Sequence, residues 1–215
     1  MLVVFRKTGP ARFVGHLDLL RAMQRALRRA DLPVAYSQGF NPHLLLTFAA
    51  PLSVGVAGER EIMEVPLSAE MDPRDFLTRL QAVLPGDLMA LEAAPLPDAH
   101  PAAMARLFAA RYALRPQSDF AVLAAALPGF LALPSIPYMK KGKSGEKQDD
   151  LRPLVLDASA RDGALEATLA LREGASAKPS QFLESLAAFA GIPAPECLIT
   201  RTGLLDNRLL PLEAP

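Results

Sequence analysis

Two imidazoles and a set of guanidinium groups are the side chains in this sequence best suited to chemistry. His16 lies in Arg12-Phe-Val-Gly-His16-Leu-Asp18, and His43 closes Tyr36-Ser37-Gln-Gly-Phe-Asn41-Pro-His43. Arg21, Arg25, Arg28 and Arg29 fall between them. Imidazoles titrate near neutrality, so a pair brought together could serve as general acid and base in RNA cleavage, or contribute metal ligands. Two histidines without a third partner are weak evidence for a metal. The plainer roles are a hydrogen bond at a helix start for His16 and a turn hydrogen bond for His43. Guanidinium groups fork onto phosphate oxygens, so arginines repeated along one helical face suit an anionic ligand. The plainer alternative there is a solvated amphipathic helix. The third histidine, His100, falls in a proline-rich stretch and reads as incidental.

Charge distribution favours the anion-binding reading. The 215 residues carry 23 basic and 23 acidic groups, for a net charge of zero. Residues 1–58 nevertheless hold seven basic groups against Asp18 and Asp31, a net of +5. Residues 59–98 hold nine acids against three arginines, and residues 140–152 hold five basic groups against three acids. Such segregation gives a molecule an anion-seeking face if the basic segments converge in space. The second basic segment, Lys140-Lys141-Gly-Lys143 through Lys147 to Arg152, reads as a hairpin tip or loop that either grips RNA or only solubilises the protein. Gly142-Lys-Ser144 lacks the upstream glycine of a phosphate-binding loop. Arg201-Thr-Gly203 reads either as part of an anion site or as a strand-end turn.

Composition excludes several classes. Hydrophobic content of 51% and charged content of 21% belong to an ordinary globular protein. The one cysteine, Cys197, excludes an intrachain disulfide, a self-contained iron–sulfur cluster and an all-cysteine zinc site; it reads as a core residue. With no Trp and 6% aromatic residues, a stacking platform for single-stranded nucleic acid has few residues to draw on. No apolar run approaches the roughly 20 residues that span a bilayer, and the start is too short for a signal segment. A cytoplasmic protein without membrane contact is expected.

The elements that must position these groups can be read in order. Leu2 to Phe5 is β-prone, with Ala11 to Val14 a possible extension. Leu20, Met23, Leu27 and Ala30 form a helical apolar stripe, with Arg21, Arg25 and Arg28 on the opposite face and Leu32-Pro33 as the stop. Val34 to Ser37 and Leu44 to Phe48 read as strands about a Gly39 to Pro42 turn. Glu61 to Leu67 alternates like a strand. Asp72 with Pro73 opens a second helix that Pro85-Gly86 closes, and Leu88 to Leu91 gives a further strand. Beyond a short Ala-rich helical stretch, Ala102 to Ala109, the order recurs. Arg111 to Leu114 reads as strand, Ser118 to Leu127 as a helix ended by Pro128-Gly129, and Pro179 to Ala190 as a helix between further strands.

The expected fold is therefore α+β, with two tandem ferredoxin-like (βαββαβ) units, each an antiparallel sheet with helices on one face. The N-terminal unit spans 1–94 and a Pro/Ala-rich linker and short helix 95–110. The C-terminal unit spans 111–215, with a basic loop at 138–152.

The stretches Arg12-Phe-Val-Gly-His16-Leu-Asp18-Leu, Ala26-Leu-Arg-Arg-Ala30 and Leu32-Pro-Val-Ala-Tyr-Ser-Gln-Gly-Phe-Asn-Pro-His43 resemble an uncharacterised bacterial family, the radical-SAM-linked proteins. Thr47-Phe-Ala-Ala-Pro-Leu-Ser-Val-Gly55, Asp150-Leu-Arg-Pro153 and Arg201-Thr-Gly203 continue the likeness over nearly the whole chain. Members of that family are often fused to, or encoded beside, a radical SAM protein with a cobalamin-binding-type domain. The resemblance implies an accessory role in RNA modification or processing, with the radical SAM protein acting in trans and with no cofactor of this chain's own.

Three functions follow as expectations. The first is a non-catalytic RNA-binding protein that presents structured RNA (tRNA or rRNA) to that enzyme. Its phosphate contacts would be Arg12, Arg21, Arg25, Arg28, Lys140, Lys141, Lys143, Arg152 and Arg201, and its polar pocket His16, Asp18, Tyr36, Ser37, Asn41 and His43. The second is a ribonuclease or RNA-modifying enzyme using His16 and His43 without a metal. The third is a protein-only scaffold that docks the partner through the acidic 59–98 segment.

Overall fold

A computed structural model describes residues 1–97, 99–142 and 145–213, with the backbone alone at 140–142, 146 and 147. The chain divides into two compact units. One comprises residues 1–107 and the chain from 203 onward; the other comprises residues 108–202. Each is α+β with antiparallel strand pairing, as the sequence predicts.

In the first unit, β1 is Leu2–Lys7, whose apolar residues Leu2, Val3, Val4 and Phe5 are buried on both faces. The expected strand extension is instead a turn of 3-10 helix, Gly9–Phe13, with Pro10 near its start. Proline suits the first helical turn. The ammonium of the fully buried Lys7 also draws this segment inward, donating to the carbonyls of Val14 at 2.8 Å and Arg12 at 3.4 Å.

Helix α1, His16–Arg29, buries Leu19, Met23, Ala26 and Leu27. Leu20 is only half-buried, so the apolar stripe is rotated slightly from the expected one. At its end Arg79 donates two hydrogen bonds to the Ala30 carbonyl, at 2.9 and 2.7 Å, and so satisfies an acceptor that the helix leaves orphaned.

The unit continues with β2 (Thr47–Phe48), β3 (Ala57–Glu64), α2 (Pro73–Gln81), β4 (Leu88–Ala94) and the single turn α3 (Ala103–Arg106). Asp72 caps α2 by accepting from the backbone of Arg74 and Asp75, the role its position predicts. The strand order is β4-β1-β3-β2. The strands expected at Val34 to Ser37 and Leu44 to Phe48 contract to isolated bridges, Val34 with Leu67 and Tyr36 with Leu44, followed by β2. Pro33, Pro42, Pro51 and Pro66 each remove a ladder donor from this region. Val3 and Phe5 of β1, Met63 of β3 and Leu88 and Ala90 of β4 share one core with α1 and α2, so both helices cover the same sheet face.

The second unit begins with β5 (Ala109–Pro116) and α4 (Phe120–Leu131). Helix α4 runs through Pro128-Gly129, where the sequence predicts its end. A Cβ on Gly129 would meet the Phe189 ring at 3.3 Å, so this glycine permits close helix contact and is not a stop. Phe130 beside it packs against Phe182 and Phe189, with ring centroids 5.9 and 5.8 Å apart.

Next comes the hairpin of β6 (Pro137–Gly142) and β7 (Gly145–Asp150). It is followed by β8 (Val155–Arg161), β9 (Ala164–Arg172), β10 (Ala175–Ser176), α5 (Pro179–Phe189) and β11 (Cys197–Leu205). Strand β9 pairs antiparallel with β5 on one side and with β8 and β10 on the other, and β11 follows β5 in the strand order. Arg201-Thr-Gly203 lies within β11 and not at a strand-end turn. No helix among the described residues is long and apolar enough to cross a membrane.

Candidate nucleic-acid interface

The Tyr36–Leu44 segment is a hairpin fastened at its base. Tyr36 bridges Leu44, and the Ser37 backbone N–H donates to the His43 carbonyl at 2.9 Å. The Ser37 hydroxyl lies 2.7 Å from His43 Nδ1 and accepts from the His43 backbone N–H at 3.0 Å. The Ser37 hydroxyl can both donate and accept, so it meets the His43 ring and backbone together. Residues 38–42 then form the tip, with Gly39 at φ +122°, a backbone region that favours glycine. Phe40 stands there fully exposed, and Asn41 is also exposed.

The hairpin is tied to α1. Gln24 Nε2 donates to the Leu44 carbonyl at 3.2 Å. Helical periodicity puts Leu17, Arg21, Gln24 and Arg28 on one stripe of α1, so the hairpin lies beside exposed arginines. Arg21 pairs with Asp18 at 3.2 Å, both well exposed, an interaction of little energetic weight. Arg25 and Arg28 are exposed and have no hydrogen bond or ion pair among the described residues. Arg12 is half-buried with its guanidinium 4.7 Å from the centre of the Phe13 ring, and Phe13 itself is 60% exposed.

The remaining polar residues form separate sets. The His16 ring packs edge-on against Phe48 with centroids 5.5 Å apart, while His43 is bonded to Ser37. The two imidazoles share no hydrogen bond among the described residues. No group of three His, Cys, Asp or Glu side chains there could hold a metal ion. Asp18 belongs with Arg21, and Tyr36 and Asn41 belong to the hairpin.

Two of the expected phosphate contacts are committed elsewhere. Arg201 is 2% exposed and is engaged within the protein. A guanidinium buried in this way is not presented to a surface ligand. Arg152 donates from its guanidinium to the carbonyls of Leu131 and Val155, both at 3.0 Å, and pins the foot of the β6–β7 hairpin. The side chains of Lys140 and Lys141, and Lys143 altogether, lie outside the described residues. Arg29 donates to the Val83 carbonyl, and Lys7 is buried. The basic face of the first unit is therefore narrower than its +5 suggests; it consists chiefly of Arg21, Arg25 and Arg28.

Phe40 and Phe13 are the residues that sequence reasoning passed over. Phe40 did carry a signal, since a phenylalanine inside a Gly/Asn/Pro turn has no helix or strand periodicity to bury it.

Fold and surface together define an α+β protein with antiparallel sheets and an arginine-bearing helix flanked by a fastened hairpin. The profile of a family described as "Uncharacterized protein conserved in bacteria (DUF2344)" matches residues 1–179, and the chain belongs to that family. No curated protein matches the sequence.

Proposed function

We propose that this chain is a non-catalytic RNA-binding protein that uses the α1 surface and the Tyr36–Leu44 hairpin to hold RNA. The observation that carries the reading is the exposed row of Arg21, Arg25 and Arg28, in which the guanidinium groups of Arg25 and Arg28 have no partner among the described residues. A guanidinium left free in water is cheap to hold and well shaped for phosphate. That it serves a separate radical SAM enzyme rests on the sequence resemblance alone; that it works in the cytoplasm rests on the composition of the sequence. We also read each unit as ferredoxin-like. The orders β4-β1-β3-β2 and β11-β5-β9-β8 support that reading, with a βαββαβ succession in the first unit and, once the β6–β7 hairpin and the short β10 are set aside, in the second.

The test is a filter-binding titration of the full chain with tRNA over a range of salt. Three phosphate contacts give a slope of about −2 to −3 in log affinity against log salt. The triple variant Arg21→Ala/Arg25→Ala/Arg28→Ala flattens that slope. Absence of salt-sensitive RNA binding by the wild-type chain would sink the proposal. For the partner, a pull-down with and without nuclease separates an RNA-bridged association from direct docking.

A further inference from the structure

We propose that the Tyr36–Leu44 hairpin is a stacking finger that takes unpaired nucleobases, so that the RNA held by this chain is recognised through its single-stranded parts and not its helices. This rests on the RNA-binding reading above and adds to it the class of RNA and the residues that contact its bases.

Composition alone argues against stacking, because the chain has ten Phe, three Tyr and no Trp. Placement reverses that argument. Phe40 has no neighbour covering either ring face, and Tyr36 at the base of the same hairpin is 44% exposed. Leaving a phenylalanine in water contributes nothing to folding, since its large apolar surface stabilises only when buried. The loop that carries it is nonetheless closed at its base by the hydrogen bonds between Ser37 and His43. A preordered loop presenting an open ring loses little further entropy when a planar group stacks on it.

The chemistry around the ring favours a base over an apolar protein pocket. Asn41 and His43, exposed on the same hairpin as Phe40, supply hydrogen-bonding groups suited to base edges. The α1 stripe to which the hairpin is tied carries Arg21 and Arg28, cations that match a phosphate backbone. Leu44, bonded to Gln24, is four residues from Phe40. Four extended residues span at most about 13 Å, so the stacking ring and the arginines lie within reach of a few nucleotides. His43, which in sequence suggested one half of an acid–base pair with His16, thus joins Ser37 as the clasp of the finger.

The experiment titrates the full chain by fluorescence anisotropy against labelled oligo(A), and against the same strand annealed to oligo(U). The wild-type chain is expected to bind the single strand about tenfold more tightly than the duplex. Phe40→Ala should lose most of that preference by weakening single-strand binding. Phe40→Tyr should retain it, and Phe40→Leu should behave like Phe40→Ala. Equal binding of both RNAs with no effect of Phe40→Ala overturns the finger and leaves the phosphate-binding reading intact. If Phe40→Leu preserves what Phe40→Ala loses, apolar bulk is in use and not a π face; this is the mark of a protein pocket, and the assignment falls. Failure of either RNA to bind the wild-type chain overturns the RNA reading itself. Circular dichroism of each variant verifies that the fold is kept.

Discussion

Gln24 and Leu44, twenty residues apart in the chain, are joined by a hydrogen bond from the side-chain amide of one to the backbone carbonyl of the other at 3.2 Å. It sets the exposed hairpin against the arginine stripe of α1. Gln24→Ala therefore weakens RNA binding several-fold through lost positioning, while urea unfolding shifts by only about 1 kcal/mol, the net worth of an ordinary hydrogen bond. Gln24→Glu removes the donor and adds a carboxylate among the arginines, so its affinity falls further. Equal affinity of both variants with wild type would show that the two surfaces work independently.

Arg79 closes the end of α1 through the Ala30 carbonyl and an ion pair with Asp31 at 3.3 Å. The positive charge also complements the helix dipole there. Arg79→Ala is expected to cost about 1–2 kcal/mol, with the half-exposed geometry keeping it at the low end for charged hydrogen bonds. Arg79→Lys recovers part of this. Chemical denaturation followed by circular dichroism measures both.

The Asp150 carboxyl is held below the usual carboxylate range, first by the Ile136 backbone N–H and then by that of Arg152. A depressed pKa means the ionised form is the one the fold favours. Its contribution is present above the pKa of the unfolded group and is lost as pH falls through the folded value. The protection factors of the Ile136 and Arg152 amides, measured against their intrinsic exchange rates, are expected to fall below about pH 4 as the foot of the β6–β7 hairpin loosens. Asp150→Asn should make those protection factors nearly independent of pH. The hydrogen-exchange profile of wild type against variant reads the difference.

Burial pushes the Cys197 thiol up to about 11. The nucleophile is the thiolate, so alkylation by iodoacetamide at pH 8 should be slow in the native protein and fast in urea. The native rate should climb steadily toward pH 11. A fast native reaction at neutral pH would contradict this environment. The thiol is also only half-buried, a less enclosed setting than its apolar strand suggests in sequence.

Much of the fold was legible where one local signal had no competitor. Asp72 and Pro73 announced α2, and Pro179 and Gly191 bracketed α5. Errors arose where a residue's local tendency met a tertiary demand. Pro128-Gly129 spells a helix end, yet Gly129 is needed for the close approach of Phe189. Arg201 spells a polar surface, yet it lies buried in β11. Arg152 spells a phosphate ligand, yet two carbonyls claim it. The Lys-rich segment, read as a hairpin tip or loop, takes the hairpin form, with β6 and β7 in register. On the candidate surface, the arginine face of α1 was visible from spacing alone. The hairpin clasp was not, because no sequence pattern says which atom of Ser37 meets which atom of His43.

The chain crosses between its units within β11, and its last described residues fasten to the first one. Leu212 is fully buried, Arg106 donates to its carbonyl at 3.0 Å, and Arg60 binds Glu213. Residues 108–202 are thus an insertion within a unit whose two pieces are separated along the chain. During synthesis the nested unit can complete its set of contacts while the enclosing one still waits for its closing segment to leave the ribosome. The arginine helix and the hairpin therefore belong to the part that starts first and finishes last.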